Sequence, residues 1–517
     1  MNSRKLKSLT TALVSRRELV RAGALIIPAA VGAPWLFSRT ALAQTTATFD
    51  YYISPSGSDG NAGTQASPWA ITAINTKRAT YAGRRVGLMD GTYSIRTLIQ
   101  AGNGDGYTCA LSLNGAGGSS GSPTVIQAVN RGAAIIDCGS PTQNNPALGT
   151  SDGSTGYITI DGLKIINGGS KSIHLGLYTG TNLNIPGWIV QNCEITGQNC
   201  HNVGGGATAG NYSCIEIQGG IGAQIRNNYF HGNVGNAGPT NGDHFTSTIQ
   251  WTSANTLYEY NTCLGPGIYG KETHNFGTTL RYNYVDNTGW TGVQGIQDFV
   301  NDTSTATGTT TTIHHNVLKT LMNDMRPTLS QTNYLADRFL CYNNTFIGLA
   351  GGVGGGVLIK TNTGLATYYN NIHYNAASGD VDLMCVDIDG PGVWDYDLYF
   401  ATGSYVYGTF PSKTSGVRNG SSTLAAWKGL MSVPCEAHAL DHQDPQFVRT
   451  GSGANFYQLQ SSSPAKNAGR TNGTTNGSAC DMGAWGNGAP SVIGSSLVTG
   501  GASPPTVVPE APSLTVS

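Results

Sequence analysis

Charge is scarce in this chain. Only 11% of its 517 residues are Asp, Glu, Lys or Arg, and the net charge is −1. A nucleic-acid binder needs a basic excess or a basic face, and neither is present. Long apolar runs are also missing. Beyond Phe37 no stretch approaches ~18 consecutive apolar residues, so the mature chain should not span a membrane. None of the ten cysteines forms a CxxC pair, which argues against zinc and thioredoxin-type redox sites. Helical patterning is poor as well. Glycine contributes 72 residues, and Asn, Thr and Ser are frequent. Such a composition suits many short strands joined by tight turns.

The first 43 residues read as an export signal. Arg16-Arg17 precede an apolar stretch from Ala22 to Phe37, and Ala41-Leu42-Ala43 offers a small-x-small cleavage site. This resembles a twin-arginine signal and implies a periplasmic or secreted protein. Export permits disulfides. Cys193, Cys200 and Cys214 are close enough in sequence for one bridge, and buried, unpaired core cysteines are the alternative.

From about residue 156 one phrase recurs: a short alternating strand, a turn, and a second strand ending in Asn. The Asn positions are 192, 228, 261, 283, 316, 344 and 371, with spacings of 36, 33, 22, 33, 28 and 27. Such a loose period is that of a solenoid, whose units bury their apolar faces only by stacking. Strands without helices stack as a parallel β-helix, roughly 12–17 coils for residues 44–487. Asparagines at one turn of successive coils then form an amide ladder. Residues 488–517 are rich in Pro, Gly, Ser and Thr and are expected to be a disordered tail. The chain is expected to be monomeric.

"YYISPSGSDGNAGTQASPWA" (51–70) and "LMDGTYSI" (88–95) resemble the opening of secreted right-handed parallel β-helix proteins of the pectate-lyase-like kind. "DPQFV" (444–448), "FYQLQSSSPAKNAG" (456–469) and "CDMGAWG" (480–486) resemble their closing stretch. The resemblance implies an all-β, single-stranded right-handed solenoid. It leaves activity open, because that fold carries lyases, hydrolases, epimerases and binders.

Outward side chains of successive coils line up as stripes. Taking Ile215, Ile217, Ile249, Trp251, Ile268, Gly270, Val357 and Ile359 as inward leaves a polar outer stripe. It holds Gln218, Gln250, Thr252, Lys271, Gln297 or Asp298, and Lys360, with Glu216 and Tyr269 also outward. Amides, a tyrosine and lysines are complementary to a polysaccharide, preferably an anionic one.

Elimination from a uronate needs a base for the C5 proton and a group that stabilises the developing charge. Lys271 is the candidate base, with Tyr269, His274 and Arg281 as helpers. The order Lys271, Asn275, Arg281-Tyr282-Asn283 is similar to a motif of the chondroitinase-B-like family of alginate and dermatan lyases. That resemblance implies the base role for Lys271. Glu272 replaces the family's serine, and "TGVQGIQDF" (291–299) lacks its second arginine. Asp243, Glu272 and Asp298 are candidate ligands for calcium, or for substrate. A paired-carboxylate hydrolase and a non-catalytic carbohydrate-binding surface protein are the alternatives. The pair His314-His315 should not share a metal, because neighbouring strand residues face opposite ways.

Overall fold

The computed structural model describes most of residues 48–499. It leaves out 1–47, 500–517 and internal stretches, chiefly 100–108, 178–184, 199–210, 234–243, 272–276, 291–295, 298–309, 325–337, 350–356, 360–365, 376–380, 388–392, 411–418 and 472–479. The expected signal segment lies outside the described residues. The coils fall within one compact unit, 42–517.

The chain is a right-handed parallel β-helix. Among the described residues it forms three 12-stranded sheets and a small two-stranded one; the large sheets take one strand from each coil, except that the last coil gives sheet III both Tyr405–Phe410 and Asn419–Ser421. Sheet I runs from Tyr51–Ile53 to Val393–Asp395, sheet II from Gly91–Ser94 to Leu440–Asp441, and sheet III from Leu111–Ser112 to Asn419–Ser421. One coil shows the path: Ile189–Gln191 in sheet I, Glu194–Thr196 in sheet II, Asn211–Gln218 in sheet III. The ladders are parallel except the last pair of sheet III, Tyr405–Phe410 with Asn419–Ser421. Isoleucine, leucine and valine fill the bore, with Trp188, Tyr258, Tyr368 and Tyr399 among its large members.

Sheets I and II meet at a two-residue turn whose first member is left-handed. Asn227, Tyr282, His315, Asn343 and Asn370 there have φ between 52° and 60°. The second member is the ladder asparagine. Its side-chain oxygen accepts two bonds from the asparagine one coil earlier: Asn228 N and Nδ2 reach Asn261 Oδ1 at 3.1 and 3.1 Å, and Asn283 N and Nδ2 reach Asn316 Oδ1 at 3.0 and 3.0 Å. These buried amides satisfy each other, which is the condition for placing them there. Asn192 is not a ladder member. It is the left-handed residue of its turn (φ 57°), and Cys193 takes the ladder place, donating from its N–H to Asn228 Oδ1 at 3.0 Å. At the other end the ladder closes on Asp397, not on an amide.

The outer face of sheet II changes character along the axis. In register, Lys164, Glu194, Tyr229 and Thr262 give way to Tyr284, Val317, Thr345, Ile372 and Leu398. An apolar outer stripe needs a cover. The C-terminal segment supplies it: Phe447, Tyr457, Ala465, Met482, Ala484 and Ile493 form a second core with these residues. Its backbone is tied down coil by coil. Gly483 N donates to Asn370 O at 2.7 Å, Gly494 N to Tyr282 O at 2.8 Å, and Ser496 N to Asn227 Oδ1 at 2.8 Å. Residues 488–499, expected to be disordered, are therefore mostly part of this strap, because Ile493 is buried and Ser495 and Ser496 are hydrogen-bonded. Residues 500–517 lie outside the described residues.

Cys193 is a buried free thiol, so it is bridged neither to Cys200 nor to Cys214. Burial pushes the Cys193 thiol up to about 12, in keeping with an inert core residue. Cys200 and Cys385 lie outside the described side chains.

Candidate functional site

The outer face of sheet III concentrates buried polar chemistry. Three adjacent strands carry it: Lys171–Gly176, Asn211–Gln218 and His244–Trp251, followed by Ile268–Lys271. Ile173, Leu175, Ile215 and Ile217 belong to the bore, so His174, Glu216 and Gln218 between them face outward. Register extends these rows. His174, Glu216, Ile249 and Tyr269 stand side by side, as do Gln218, Trp251 and Lys271. Ile249 and Tyr269 are buried yet outside the bore's apolar cluster, as outward residues should be.

Lys171 Nζ lies 3.0 Å from Glu216 Oε2. Gln218 Nε2 donates to Glu216 Oε1. His174, Glu216 and Gln218 are essentially unexposed. Taking a charge pair out of water is costly unless the charges lie close together, and here they are 3.0 Å apart, with the Gln218 amide donating to the other carboxylate oxygen. His174 Nδ1 is 2.7 Å from the Thr150 carbonyl, so that nitrogen carries the proton and donates. Burial, aided by the Lys171 charge and opposed by Glu216, lowers the imidazole to about 4. It is neutral at physiological pH. Among the described side chains the face thus holds one cation, one anion, a neutral imidazole, an amide and two aromatic rings, with Trp251 half-buried at its edge.

No protein-family profile matches the chain, and no curated protein does. Solved structures with a similar course include a pectate lyase, with 15% identity over 84% of this chain and 95% of that one, TM-score 0.43. A rhamnogalacturonan lyase has 14% identity over 80% and 96%, TM-score 0.40. An alginate lyase has 11% identity over 71% of this chain and 56% of that one, TM-score 0.36. Glycoside hydrolases also occur, among them a lacto-N-biosidase from Eubacterium ramulus, with 13% identity over 76% and 67%, TM-score 0.41. The likeness is one of fold.

On this fold the sequence-predicted residues fall in different places. Gln218, Tyr269 and Lys271 sit together on the outer face of sheet III, Lys271 by its backbone, since its side chain is not described. Gln250 does not join them. It points into the bore, where its Oε1 accepts from Tyr258 Oη at 3.2 Å and its Nε2 donates to Thr278 Oγ1 at 3.0 Å. Trp251, expected inward as an apolar residue of the alternation, occupies the outward place beside Gln218 and Lys271. Thr252 is the buried, left-handed residue (φ 44°) at the exit toward sheet I.

Arg281 is not a helper of Lys271. It stands on Thr279–Arg281 of sheet I, where its Nε and NH2 donate to Glu259 Oε2 at 2.9 and 2.8 Å. Gln297 continues the Tyr269 row by backbone register, with its side chain undescribed. His274, Lys360, Asp243, Glu272 and Asp298 lie outside the described residues. Among the described residues no three His, Cys, Asp or Glu side chains come together to hold a metal ion.

Lys171, His174 and Trp251 are site residues that sequence reasoning missed. The signal was the phrase "KSIHLG" (171–176), an alternating strand whose polar members are a lysine and a histidine. His314 and His315 pair with each other, Nδ1 to Nδ1 at 2.8 Å, within an aromatic stack that includes Tyr282 and Tyr342. That arrangement is structural.

Proposed function

We propose that this protein is a polysaccharide lyase that cleaves a uronate-containing chain by β-elimination on the outer face of sheet III. The observation that carries the reading is the juxtaposition there of Trp251, Tyr269 and the Lys271 backbone with the Lys171–Glu216 pair. In the proposed step, the Lys271 amine takes the C5 proton of the uronate. The C5 electron pair forms the C4–C5 double bond, and the glycosidic oxygen leaves from C4. The Tyr269 hydroxyl supplies that oxygen with a proton, and His274 is the proposed helper. Burial raises the value of each electrostatic contact, because water is excluded. Trp251 offers an aromatic surface on which a sugar ring can stack. Arg281 has no part in the step.

Calcium belongs to the proposal only as an addition. Held by Asp243, Glu272 and Asp298, it would bring positive charge against the uronate carboxylate. The Lys171–Glu216 pair does not suit a cation, since the ammonium already neutralises the carboxylate. Export by the twin-arginine route and a monomeric mature chain complete the reading. Mass measurement of the secreted N-terminus tests the first, and gel filtration the second.

The experiment is an ultraviolet assay for the unsaturated uronate product. Wild type and Lys271→Ala are incubated with alginate, pectate, glycosaminoglycan and bacterial exopolysaccharide, with calcium or with chelator. The expected result is a rise that Lys271→Ala abolishes. Reducing ends without the unsaturated product would replace the lyase with a hydrolase. Neither signal on any polymer would leave a binding protein.

A further inference from the structure

The last strand of sheet I, Val393–Asp395, holds an exposed histidine in place. His438 Nδ1 lies 2.7 Å from Asp395 Oδ2, and the His438 side chain is 58% exposed. The other oxygen, Asp395 Oδ1, accepts from the Tyr396 and His438 backbone N–H groups at 2.9 and 2.7 Å. That oxygen alone ties the two segments together, so the fold does not need the imidazole. The imidazole also stacks on Tyr396, with ring centroids 4.4 Å apart and planes 12° apart. A carboxylate only accepts, so Nδ1 carries the proton and Nε2 is left for another partner.

A cation stands one coil earlier. Tyr369 adjoins Asp395 in register, and the Arg470 guanidinium lies 5.4 Å from the centre of the Tyr369 ring. Asn370 fixes the backbone of Arg470. Arg470 N donates to Asn370 Oδ1 at 2.6 Å, and Asn370 Nδ2 donates to Arg470 O at 2.8 Å. Asn370 N donates in turn to Tyr396 O at 3.0 Å, which joins the two groups of residues. Arg470 is exposed, and its guanidinium enters no ion pair among the described residues. Asp395, the anion beside it, is 20% exposed and already accepts three hydrogen bonds. What meets water on these adjacent coils is therefore a guanidinium, an imidazole edge and a stacked ring.

These groups suit one segment of an acidic glycan. A uronate carboxylate matches the flat fork of an arginine. A sugar hydroxyl both donates and accepts, so it bonds Nε2 whether the imidazole is neutral or charged. The apolar face of a pyranose stacks on an aromatic ring. A coil rises ~4.8 Å, which places groups on adjacent coils within reach of neighbouring sugars of one chain. We infer that His438, Tyr396 and Arg470 form a second, non-catalytic binding site for an acidic polysaccharide, on a different sheet from the proposed reacting centre. It holds the polymer while other parts of the same chain reach sheet III. The inference takes from the lyase reading only that this polymer is the substrate.

Binding is read by retardation in native gels cast with alginate, polygalacturonate or a glucuronate-bearing exopolysaccharide. Every protein in these gels carries Lys271→Ala, so that the polymer is not cut. His438→Ala and Arg470→Ala should each weaken retardation about fivefold, the worth of one net hydrogen bond or ring contact. His438→Phe keeps a ring to stack on and should lose less than His438→Ala. Added salt should erase the Arg470 share and leave the His438 share. With Lys271 intact, kcat and KM on fragments too short to span both sheets should stay at wild-type values. The melting temperature of His438→Ala should also stay, because Asp395 Oδ1 keeps both backbone bonds.

Equal retardation of the variants and their parent would overturn the inference, as would a parent that no polymer retards. A fall in the melting temperature of His438→Ala, with Arg470→Ala retarded like the parent, would overturn it too and leave the imidazole as a brace for the turn. Lost turnover of the short fragments would move these residues to the reacting centre and overturn the non-catalytic role. Weakened retardation, with no unsaturated product from any protein, would uphold the binding site and discard the lyase.

Discussion

The asparagine ladder ends on an acid, and that ending can be tested. Asp397 Oδ1 accepts from Asn371 N at 2.6 Å and from Asn371 Nδ2 at 3.1 Å, as every ladder oxygen does. Its own N–H donates to Glu436 Oε2 at 3.4 Å, so Glu436 stands where the next ladder oxygen would be. Asp397 Oδ2 has no partner, and both carboxyls are buried. Glu436 Oε1 is held by Tyr399 Oη at 2.6 Å, and Lys428 Nζ donates to the Glu436 carbonyl at 2.6 Å. Burial, reinforced by the facing Glu436, keeps Asp397 protonated far above the usual carboxylate range. Burial pushes Glu436 up to about 7, against the pull of the Tyr399 and Asp397 hydrogen bonds.

Asp397→Asn should extend the ladder. The new amide oxygen would keep both Asn371 bonds, and the new NH2 would face Glu436 Oε2 as a donor. The sign follows from proton binding. Both acids have folded-state values above their unfolded ones, so the folded chain holds extra protons. Stability is full at acid pH and falls as pH rises from about 4.5 through about 7. The variant lacks the Asp397 proton, so its margin over wild type should grow with pH by at most about 1.4 kcal/mol per pH unit, up to about 4 kcal/mol between pH 5 and pH 8. Urea midpoints at the two pH values measure this. Exchange of the Asn371 amide hydrogen gives a local readout suited to a solenoid. Equal stability at pH 8, or a loss at both pH values, would refute the reasoning.

Deleting residues 488–517 removes the buried Ile493 and the bonds of Ser495 and Ser496 to Thr262 and Asn227. Unfolding in urea should show a loss of about 3 kcal/mol, most of it from Ile493. Asn283→Ala breaks the ladder at mid-length, stranding donors on Asn261 and the carbonyls of Tyr258 and Arg281. It should cost about 3 kcal/mol in the same assay. Arg281→Ala should leave turnover of any polymer unchanged, since the residue pairs with Glu259 on sheet I; the stability loss should be about 1 kcal/mol or less. Glu194 is partly buried, but hydrogen bonds from His231 and Lys164 hold it down to about 2. Its contribution is present above about pH 4.5 and fades as pH falls toward 2, so Glu194→Gln should flatten the acid limb of a melting-temperature profile.

The coil was legible because its signals are local. The ladder place needs an amide that donates and accepts at once, so Asn228, Asn261, Asn283, Asn316, Asn344 and Asn371 announce themselves by repetition. Asn192 misled because asparagine also tolerates the left-handed residue one place earlier. The phase of strand His244–Trp251 was not legible. Ser247 N and Thr248 N both donate to Gly267 O, at 3.0 and 3.4 Å, and this bulge resets the alternation. Apolar character then points the wrong way. Ile249 and Trp251 face out, while Thr248 and Gln250 face in near Tyr258. Apolar-in, polar-out holds only where the outer face meets water, and here the outer face is itself buried.

The same exception carries information when it repeats. Tyr284, Val317, Ile372 and Leu398 stand on one outward row of sheet II, in register with Lys164 and Glu194 farther up the axis. A solvated row has no reason to turn apolar halfway along a solenoid. The change in composition therefore predicts a second layer over one part of the helix and not the other. It also says which residues form that layer, since Met482, Ala484 and Ile493 are apolar residues of the C-terminal segment left over once the bore is filled. Sheet III obeys the same logic with polar residues. Its outward row turns buried around Lys171 and Glu216, and there the polar groups answer one another, the ammonium facing the carboxylate and the Gln218 amide donating to it, where sheet II uses methyl groups and rings.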